Sequence, residues 1–407
     1  MSEIRITKAP TGGRIDAIVS KSAAHRLLIA GFLSGLDLSG RCEGLSEDIS
    51  ATKMCLSQLG DAREKATGGI CEVPCKESGS TLRFLLPLAG ALGIESDFFC
   101  EGRLPDRPMG PFLECLAEHG CKVSGRNPKR LTGRLTGGVF RLPGNISSQY
   151  VTGLLMALPL LDEDSSIAID GTLQSRPYVD LTLRVLEQSN IKITETEHQF
   201  HIQGGQRYAL PAFALDHIEG DWSNAAFWVA MDTMGKLQKS GSKTITCEGL
   251  DPASAQGDKA ITEIAARMLR AGREELTVDV ADIPDLVPAL AALSCAREAG
   301  SVTNIVNAGR LRFKESDRLH AVTVVLSELG ADITEQEESL TIRSTGRLTG
   351  GRVSSFGDHR IAMMAAEARC ISEEPIVIID AEAVGKSYPH FFEDYQKLGG
   401  MAQWMET

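Results

Sequence analysis

The chain has 407 residues, of which 43% are hydrophobic and 24% charged, and its formal net charge is −12. That length favours two domains, each able to bury a core, and the acidic balance excludes nucleic acid or an anionic membrane surface as the main partner. No apolar run reaches membrane-spanning length, and "MSEIRITKAPTGG" lacks the hydrophobic stretch of a signal peptide, so a cytoplasmic protein is expected. In chain order, "EIRITKA" reads as a strand. An apolar helix, "SKSAAHRLLIAGFLSG", then leads to a polar turn and an amphipathic helix, "CEGLSEDISATKMCLSQLG". The same succession returns as "ESGSTLRFLLPLAGALG" with "CEGRLPDRPMGPFLECLAEHG", and as "NISSQYVTGLLMALPLL" with "IDGTLQSRPYVDLTLRVLEQSN". Three further copies begin at "DWSNAAFWVAMDTMG", "DIPDLVPALAALSCA" and "DHRIAMMAAEARCIS". Their amphipathic partners are "CEGLDPASAQGDKAITEIAARMLRAG", "VNAGRLRFKESDRLHAVTVVLSELG" and "IDAEAVGKSYPHFFEDYQKLGG".

Six copies of one unit, with β-like runs between the helices, predict two similar α/β domains of three repeats each. The predicted boundaries are 20–219 for one domain, and 1–19 with 220–407 for the other. Each apolar helix is apolar on nearly every face and should be buried, and each opens near Ser, Asp, Asn or Glu, the residues that cap helices. The ten cysteines are scattered, which suits free thiols better than a disulfide framework. Cys71 and Cys75 in "CEVPC" lack the partners of a zinc site, and His198 and His201 in "HQFH" read as surface residues of a strand. "GKS" at Gly385–Ser387 is not a phosphate-binding P-loop, because Asp380 stands where the pattern needs Gly.

Charged and hydroxyl side chains fall repeatedly at helix starts, where free N–H groups and the helix dipole favour anions. Lys21, Ser22 and Arg26 open the first apolar helix, Ser80 and Arg83 the second, and Ser147, Ser148 and Gln149 the third. Asp285 lies in the fifth, and Asp358, His359 and Arg360 open the sixth. Arg107, Arg176 with Tyr178, the "KESDR" cluster and Lys386 belong to the amphipathic partners. Arg83 and Arg360 interrupt apolar sequence, and a buried guanidinium needs an anion. An acidic chain with cations gathered at helix ends reads as a site for small phosphate- and carboxylate-bearing ligands.

Ten motifs in order, among them "SKSAAHR", "ESGSTLRF", "GRLPDRPM", "GNISSQY", "LQSRPYVD", "RLRFKESDRL", "GDHRIAMM" and "GKSYPHFF", resemble the EPSP synthase (3-phosphoshikimate 1-carboxyvinyltransferase) family nearly end to end. The resemblance implies an enolpyruvyltransferase fold, two domains of three βαβαββ-type repeats with the active site in the cleft between them. It implies transfer of the enolpyruvyl group of phosphoenolpyruvate to shikimate 3-phosphate, by a monomer, with no metal or organic cofactor. By the same resemblance, phosphoenolpyruvate is held by Lys21, Gly79, Arg107, Gln149, Arg318, Arg360 and Lys386. Shikimate 3-phosphate is held by Lys21, Ser22, Arg26, Ser147, Ser148, Gln149, Ser175, Tyr178, Asp285 and Lys314. Lys21, Asp285, Glu315 and Lys386 are the expected catalytic groups, with Asp285 taking the proton of the 5-hydroxyl and Glu315 handling the proton at C3. Lys314, Glu315 and Arg318 are expected in the site, and Asp317 as a local partner of a base.

Three positions depart from the common family pattern: Arg310 stands where many members have Asn, Glu77 where many have Asn, and Phe84 where many have Pro. Gly79 is kept, which in this family goes with sensitivity to glyphosate. The sister UDP-N-acetylglucosamine enolpyruvyltransferase usually has a reactive Cys five residues before the Arg matching Arg107, and here that place is Gly102. A catalytically silent relative would show a loss at Lys21, Asp285, Glu315 or Lys386, and none is lost.

Overall fold

In the computed structural model, residues 2–42, 45–65, 69–197, 199–239, 241 and 243–405 are described, which leaves His198 outside them. The chain divides into a terminal unit, Met1–Val19 with Glu219–Thr407, and a central unit, Ser20–Ile218.

Two strands open the terminal unit, β1 (Glu3–Lys8) and β2 (Gly13–Asp16). The central unit begins with α1 (Lys21–Leu33) and α2 (Glu47–Lys65). It continues through β3 (Cys71–Lys76), α3 (Gly79–Leu92), β4 (Ser96–Cys100), α4 (Gly110–Glu118), β5 (Cys121–Ser124) and β6 (Lys129–Gly133). Its last repeat is β7 (Gly138–Pro143), α5 (Ser148–Ala157), β8 (Ser165–Asp170), α6 (Arg176–Gln188), β9 (Ile193–Thr196) and β10 (Gln199–Ile202). The terminal unit resumes with α7 (Trp222–Leu237), β11 (Ile245–Glu248) and α8 (Ile261–Arg270). Then come β12 (Leu276–Asp279), α9 (Val287–Cys295), β13 (Val302–Val306), α10 (Arg318–Glu328), β14 (Asp332–Glu335) and β15 (Leu340–Arg343). It closes with β16 (Gly351–Ser354), α11 (His359–Ala368), β17 (Ile376–Ile379), α12 (Phe391–Lys397) and β18 (Met401–Met405).

Four sheets share one plan. The orders β3-β4-β6-β5, β7-β8-β10-β9 and β12-β13-β15-β14 each join a parallel pair to an antiparallel hairpin. In the fourth, β16-β17-β1-β18, the N-terminal strand β1 takes the third place, antiparallel to both neighbours. The α1–α2 and α7–α8 repeats have no such sheet among the described residues. Instead β2 and β11 form a two-stranded parallel pair within the terminal unit.

The apolar helices are buried because no face of them is polar enough for water. All ten residues of α11 and all nine of α9 are buried. Small residues let them approach closely: a Cβ on Gly153 of α5 would lie 2.4 Å from the Arg83 carbonyl oxygen of α3. Five of the six helices carry a side-chain cap, from Ser20, Ser78, Ser147, Asp221 and Asp358. The exception is α9, which starts from the 3-10 turn Pro284–Leu286 and has no side-chain cap bond.

The strands that precede α4, α6, α8, α10 and α12 are each followed by a turn with positive φ. Gly102, Gly171 and Gly249 take it at +55°, +77° and +81°, and Asn307 and Asp380 at +61° and +54°. Asn and Asp tolerate that conformation best after Gly.

Candidate active site

In the central unit the candidate residues gather at the N-termini of α1, α3, α5 and α6. At α1, the Lys21 ammonium lies 2.8 Å from Asp48 on α2. One turn later Arg26 is buried, and its guanidinium donates to Thr182 Oγ1 at 2.8 Å, to the Ser22 carbonyl at 2.6 Å and to the Tyr178 carbonyl at 2.9 Å. Burial pushes its pKa down to about 9, and these hydroxyl and carbonyl acceptors bring no negative charge to offset it. Arg26 thus ties α1 to the start of α6, where Ser175 sits at φ +56° just before Arg176 and Tyr178.

The second cluster forms where α3 meets α5. Gln149 accepts from Arg83 Nη1 at 2.6 Å and donates to Ser80 Oγ at 2.9 Å. The backbone N–H of Gln149 donates to Ser147 Oγ at 3.3 Å, and Ser148 is buried beside it. A Cβ placed on Gly79 would lie 2.8 Å from Nη1 of both Arg107 and Arg83, so two guanidinium groups converge on the first residue of α3. Two cations at a helix N-terminus are the groups that attract a phosphate or carboxylate. The loops bearing Ser147 and Ser175 are joined by Gln174 N–H donating to the Gly144 carbonyl at 3.0 Å. The Arg176 guanidinium pairs with Glu195 at 2.8 Å and with Asp180 at 2.6 Å.

The terminal unit gathers its charges around Asp285 and Asp358. Arg318, 1% exposed, reaches Asp285 Oδ1 at 3.0 Å, Glu315 Oε2 at 2.5 Å and Asp358 Oδ2 at 2.9 Å. Lys314 lies 3.3 Å from Asp285 Oδ1, and Arg360 Nη2 lies 3.2 Å from Asp285 Oδ2. Lys386 donates to the Gly357 carbonyl at 2.8 Å, which places its amine beside the start of α11. Burial alone would raise the Asp285 pKa, but Arg360, Lys314 and Arg318 outweigh it and hold the carboxyl well below its usual range. Burial lowers the Lys314 pKa, with Asp285 opposing.

The cluster "RLRFKESDRL" therefore divides by function. Lys314 and Arg318 meet Asp285, and Glu315 joins them through Arg318. Arg312 pairs with Asp317 at 3.2 Å and Glu335 at 2.6 Å, and Asp317 also caps α10 by accepting from His320 N–H at 3.1 Å. Arg310 donates to the Ala281 carbonyl at 2.5 Å, and Asn307 donates to Asp279 at 2.8 Å from its positive-φ turn.

Three acids at these clusters were not legible as site residues. Asp48 resembles an ordinary acidic helix start. Asp358 reads as a cap, which it is, but it also binds Arg318. Asp258, in "QGDKA", is buried and accepts from Ser223 Oγ; burial first, then Asp285, pushes its pKa up to about 7.

Cys71 and Cys75 are free and buried, and burial raises both thiols, which opposes thiolate ligation. Among the described residues no group of three or more His, Cys, Asp or Glu is placed to hold a metal ion. A cavity of about 940 Å³ lies along β7–β10, lined by residues such as Arg141, Asp170, Arg176, Glu195 and Phe200. Of the candidate residues named from the sequence, Arg176 lines it.

Residues 7–395 match the family model for EPSP synthase (3-phosphoshikimate 1-carboxyvinyltransferase). The chain belongs to the EPSP synthase family. Relatives named 3-phosphoshikimate 1-carboxyvinyltransferase include those of Clostridium kluyveri, 40% identical, and Clostridioides difficile, 37% identical, each aligned over 98% of both chains. The fold matches a solved EPSP synthase of Acinetobacter baumannii with a TM-score of 0.75 at 20% identity, over the whole of both chains. No helix of the described residues is long and apolar enough to cross a membrane.

Proposed function

We propose that this chain transfers the enolpyruvyl group of phosphoenolpyruvate to the 5-hydroxyl of shikimate 3-phosphate and releases phosphate. The observation that carries the reading is the pair of anion-ready clusters in a member of this family. One is Arg83, Arg107 and Gln149 around Gly79; the other is Lys314, Arg318, Arg360 and Lys386 around Asp285 and Asp358.

Phosphoenolpyruvate brings a carboxylate and a phosphate, and guanidinium forks bind both. Lys21, Gly79, Arg107, Gln149, Arg318, Arg360 and Lys386 would hold it. Ser22, Arg26, Ser147, Ser148, Gln149, Ser175, Tyr178, Asp285 and Lys314 would hold shikimate 3-phosphate. In the proposed reaction the 5-hydroxyl oxygen attacks C2 of phosphoenolpyruvate while C3 takes a proton. Loss of a C3 proton then expels phosphate and restores the double bond, so atoms and charges balance over the two steps.

Asp285 in its resting surroundings is a weak base, because three cations share its carboxylate. Anionic substrate that draws Arg318 and Arg360 to itself would restore the basicity needed to take the 5-hydroxyl proton. Glu315, 2.5 Å from Arg318, would be freed by the same exchange to serve C3. Lys21 and Lys386 would stabilise developing negative charge.

Nothing at position 102 favours the sister reaction, whose enzyme usually has a reactive Cys there. A side chain at position 102 would require both a positive φ and a Cβ 2.6 Å from the Glu77 carboxyl carbon, so a Cys there is excluded without local rearrangement. The test is phosphate release from phosphoenolpyruvate with shikimate 3-phosphate or UDP-N-acetylglucosamine as acceptor. Release with the first alone is expected; release only with the second, or with neither from folded protein, would refute the reading.

A further inference from the structure

A chain of buried polar groups runs from α1, through α2, to the N-terminus of α3. His25 Nδ1 lies 2.7 Å from Thr52 Oγ1, which lies 2.6 Å from Thr81 Oγ1, and Thr81 Oγ1 donates to Ser78 Oγ at 2.7 Å. None of the four residues is more than 1% exposed.

The order of the protons follows from its two ends. Thr81 gives its hydroxyl proton to Ser78, so its oxygen accepts from Thr52. The Thr52 proton is then committed, so Thr52 accepts from His25 Nδ1–H. The other ring nitrogen, Nε2, is buried with no hydrogen-bond partner among the described residues. Were the chain reversed, that atom would carry an N–H with no acceptor, and an orphaned buried donor is costlier than an unused lone pair. The ring stands edge-on to Phe84, at 6.3 Å between centroids. Burial, followed by the nearby Lys21 and Arg26 charges, lowers the His25 pKa well below its ordinary value, so the imidazole is neutral.

At the other end, Ser78 Oγ accepts from the Thr81 hydroxyl and, at 3.3 Å, from the Thr81 backbone N–H. Both lone pairs are then occupied, and the serine's own hydrogen is left as a donor. Ser78 is the N-cap immediately before Gly79, the residue on which Arg83 and Arg107 converge.

We propose that His25, Thr52 and Thr81 are positioning residues of the anion subsite at the start of α3, holding Ser78 as a hydrogen-bond donor to the bound phosphate or carboxylate. The proposal rests on the reading of that subsite as the place of phosphoenolpyruvate. Nothing in the six-repeat pattern of the sequence points to these residues, because their partners come from three separate helices.

Two measurements test it. The first is the imidazole 15N shifts of protein labelled at histidine, with His25 assigned by its loss in His25→Asn. A neutral Nδ1–H form that does not titrate between about pH 5.5 and 8 is expected. An Nε2–H form, or titration in that range, overturns the proton order and with it the proposal.

The second measurement is steady-state kinetics beside thermal melting. Thr52→Val and His25→Leu should raise KM for phosphoenolpyruvate by about threefold to tenfold, leaving KM for shikimate 3-phosphate nearly unchanged. His25→Asn, which can keep a donor near the Nδ1 position, should stay close to the parent. Lower melting temperatures with unaltered KM values would reduce the chain to a structural role and refute the proposal. Folded parent protein that turns over neither acceptor would instead refute the enolpyruvyl-transfer reading, while the 15N result would still decide the proton order.

Discussion

Gly79→Ala adds one methyl group at the point where the two guanidinium groups of the central unit converge. Its Cβ would stand 2.8 Å from Arg107 Nη1 and from Arg83 Nη1, and 3.7 Å from Leu104 Cδ1. Both close atoms are ends of flexible side chains, so the fold accommodates the methyl by moving each away by roughly half an ångström. Gly79 is not among the positive-φ residues, so alanine fits the backbone and is expected to be neutral or to add about 0.4–1 kcal/mol of stability. The anion bears the cost. A charge-assisted hydrogen bond contributes about 1.5–3 kcal/mol, and weakening one on each guanidinium predicts a rise of about tenfold to a hundredfold in KM for phosphoenolpyruvate. An anionic competitor such as glyphosate should lose affinity by at least as much. Steady-state kinetics with each substrate varied, beside a thermal melt, reads all three effects. An unchanged KM for phosphoenolpyruvate, with the shikimate 3-phosphate KM raised instead, would refute the placement of the subsite.

Glu367 on α11 is 0% exposed, and neither carboxylate oxygen has a hydrogen-bond partner among the described residues. Burial raises its pKa well above the ordinary value, so the folded protein binds a proton that the unfolded chain releases. The stability from this group is therefore full below the unfolded pKa, near 4.3, and is lost by up to about 1.4 kcal/mol per pH unit above it, until the folded pKa is reached. Glu367→Gln removes that slope, so its melting temperature should gain on the parent as pH rises from about 5 to 8; a gap independent of pH would contradict this. Glu315→Gln should lower kcat by about a hundredfold or more, with KM for phosphoenolpyruvate changed only severalfold. Near-normal turnover with unchanged binding would remove Glu315 from proton transfer. Asp48→Asn takes away the carboxylate 2.8 Å from Lys21 and should lower kcat/KM by about tenfold; unchanged kinetics would make the pair a surface ornament.

The repeat was legible because it is local. Apolar helices such as α9 and α11 announce their burial by lacking a polar face, and Ser20, Ser78, Ser147, Asp221 and Asp358 cap helices where their positions predict. Lys314, Glu315 and Arg318 were legible as a cluster because they share one short segment. Asp358, which anchors Arg318, caps another helix, and only that capping role could be read from sequence. Arg26 looked like a cation one turn into a helix, yet it is buried among carbonyl and hydroxyl groups of α5 and α6, more than a hundred residues away in the chain. Asp48, Asp258 and Glu367 were missed for the same reason: a single carboxylate in a helical pattern carries no mark of what faces it across the core. Asn307 and Arg310 gain a physical account only from the fold, as a positive-φ turn and a backbone tether.

The central claim is enolpyruvyl transfer by addition and elimination, in which C3 of phosphoenolpyruvate becomes a methyl group before losing a proton. The most direct test is to run the reaction with shikimate 3-phosphate in D2O and read the vinylic methylene of the product by proton NMR. The account predicts an enol ether at the 5-oxygen with deuterium in that methylene. A product formed without deuterium there, or phosphate released with no carbon transferred to shikimate 3-phosphate, would contradict it.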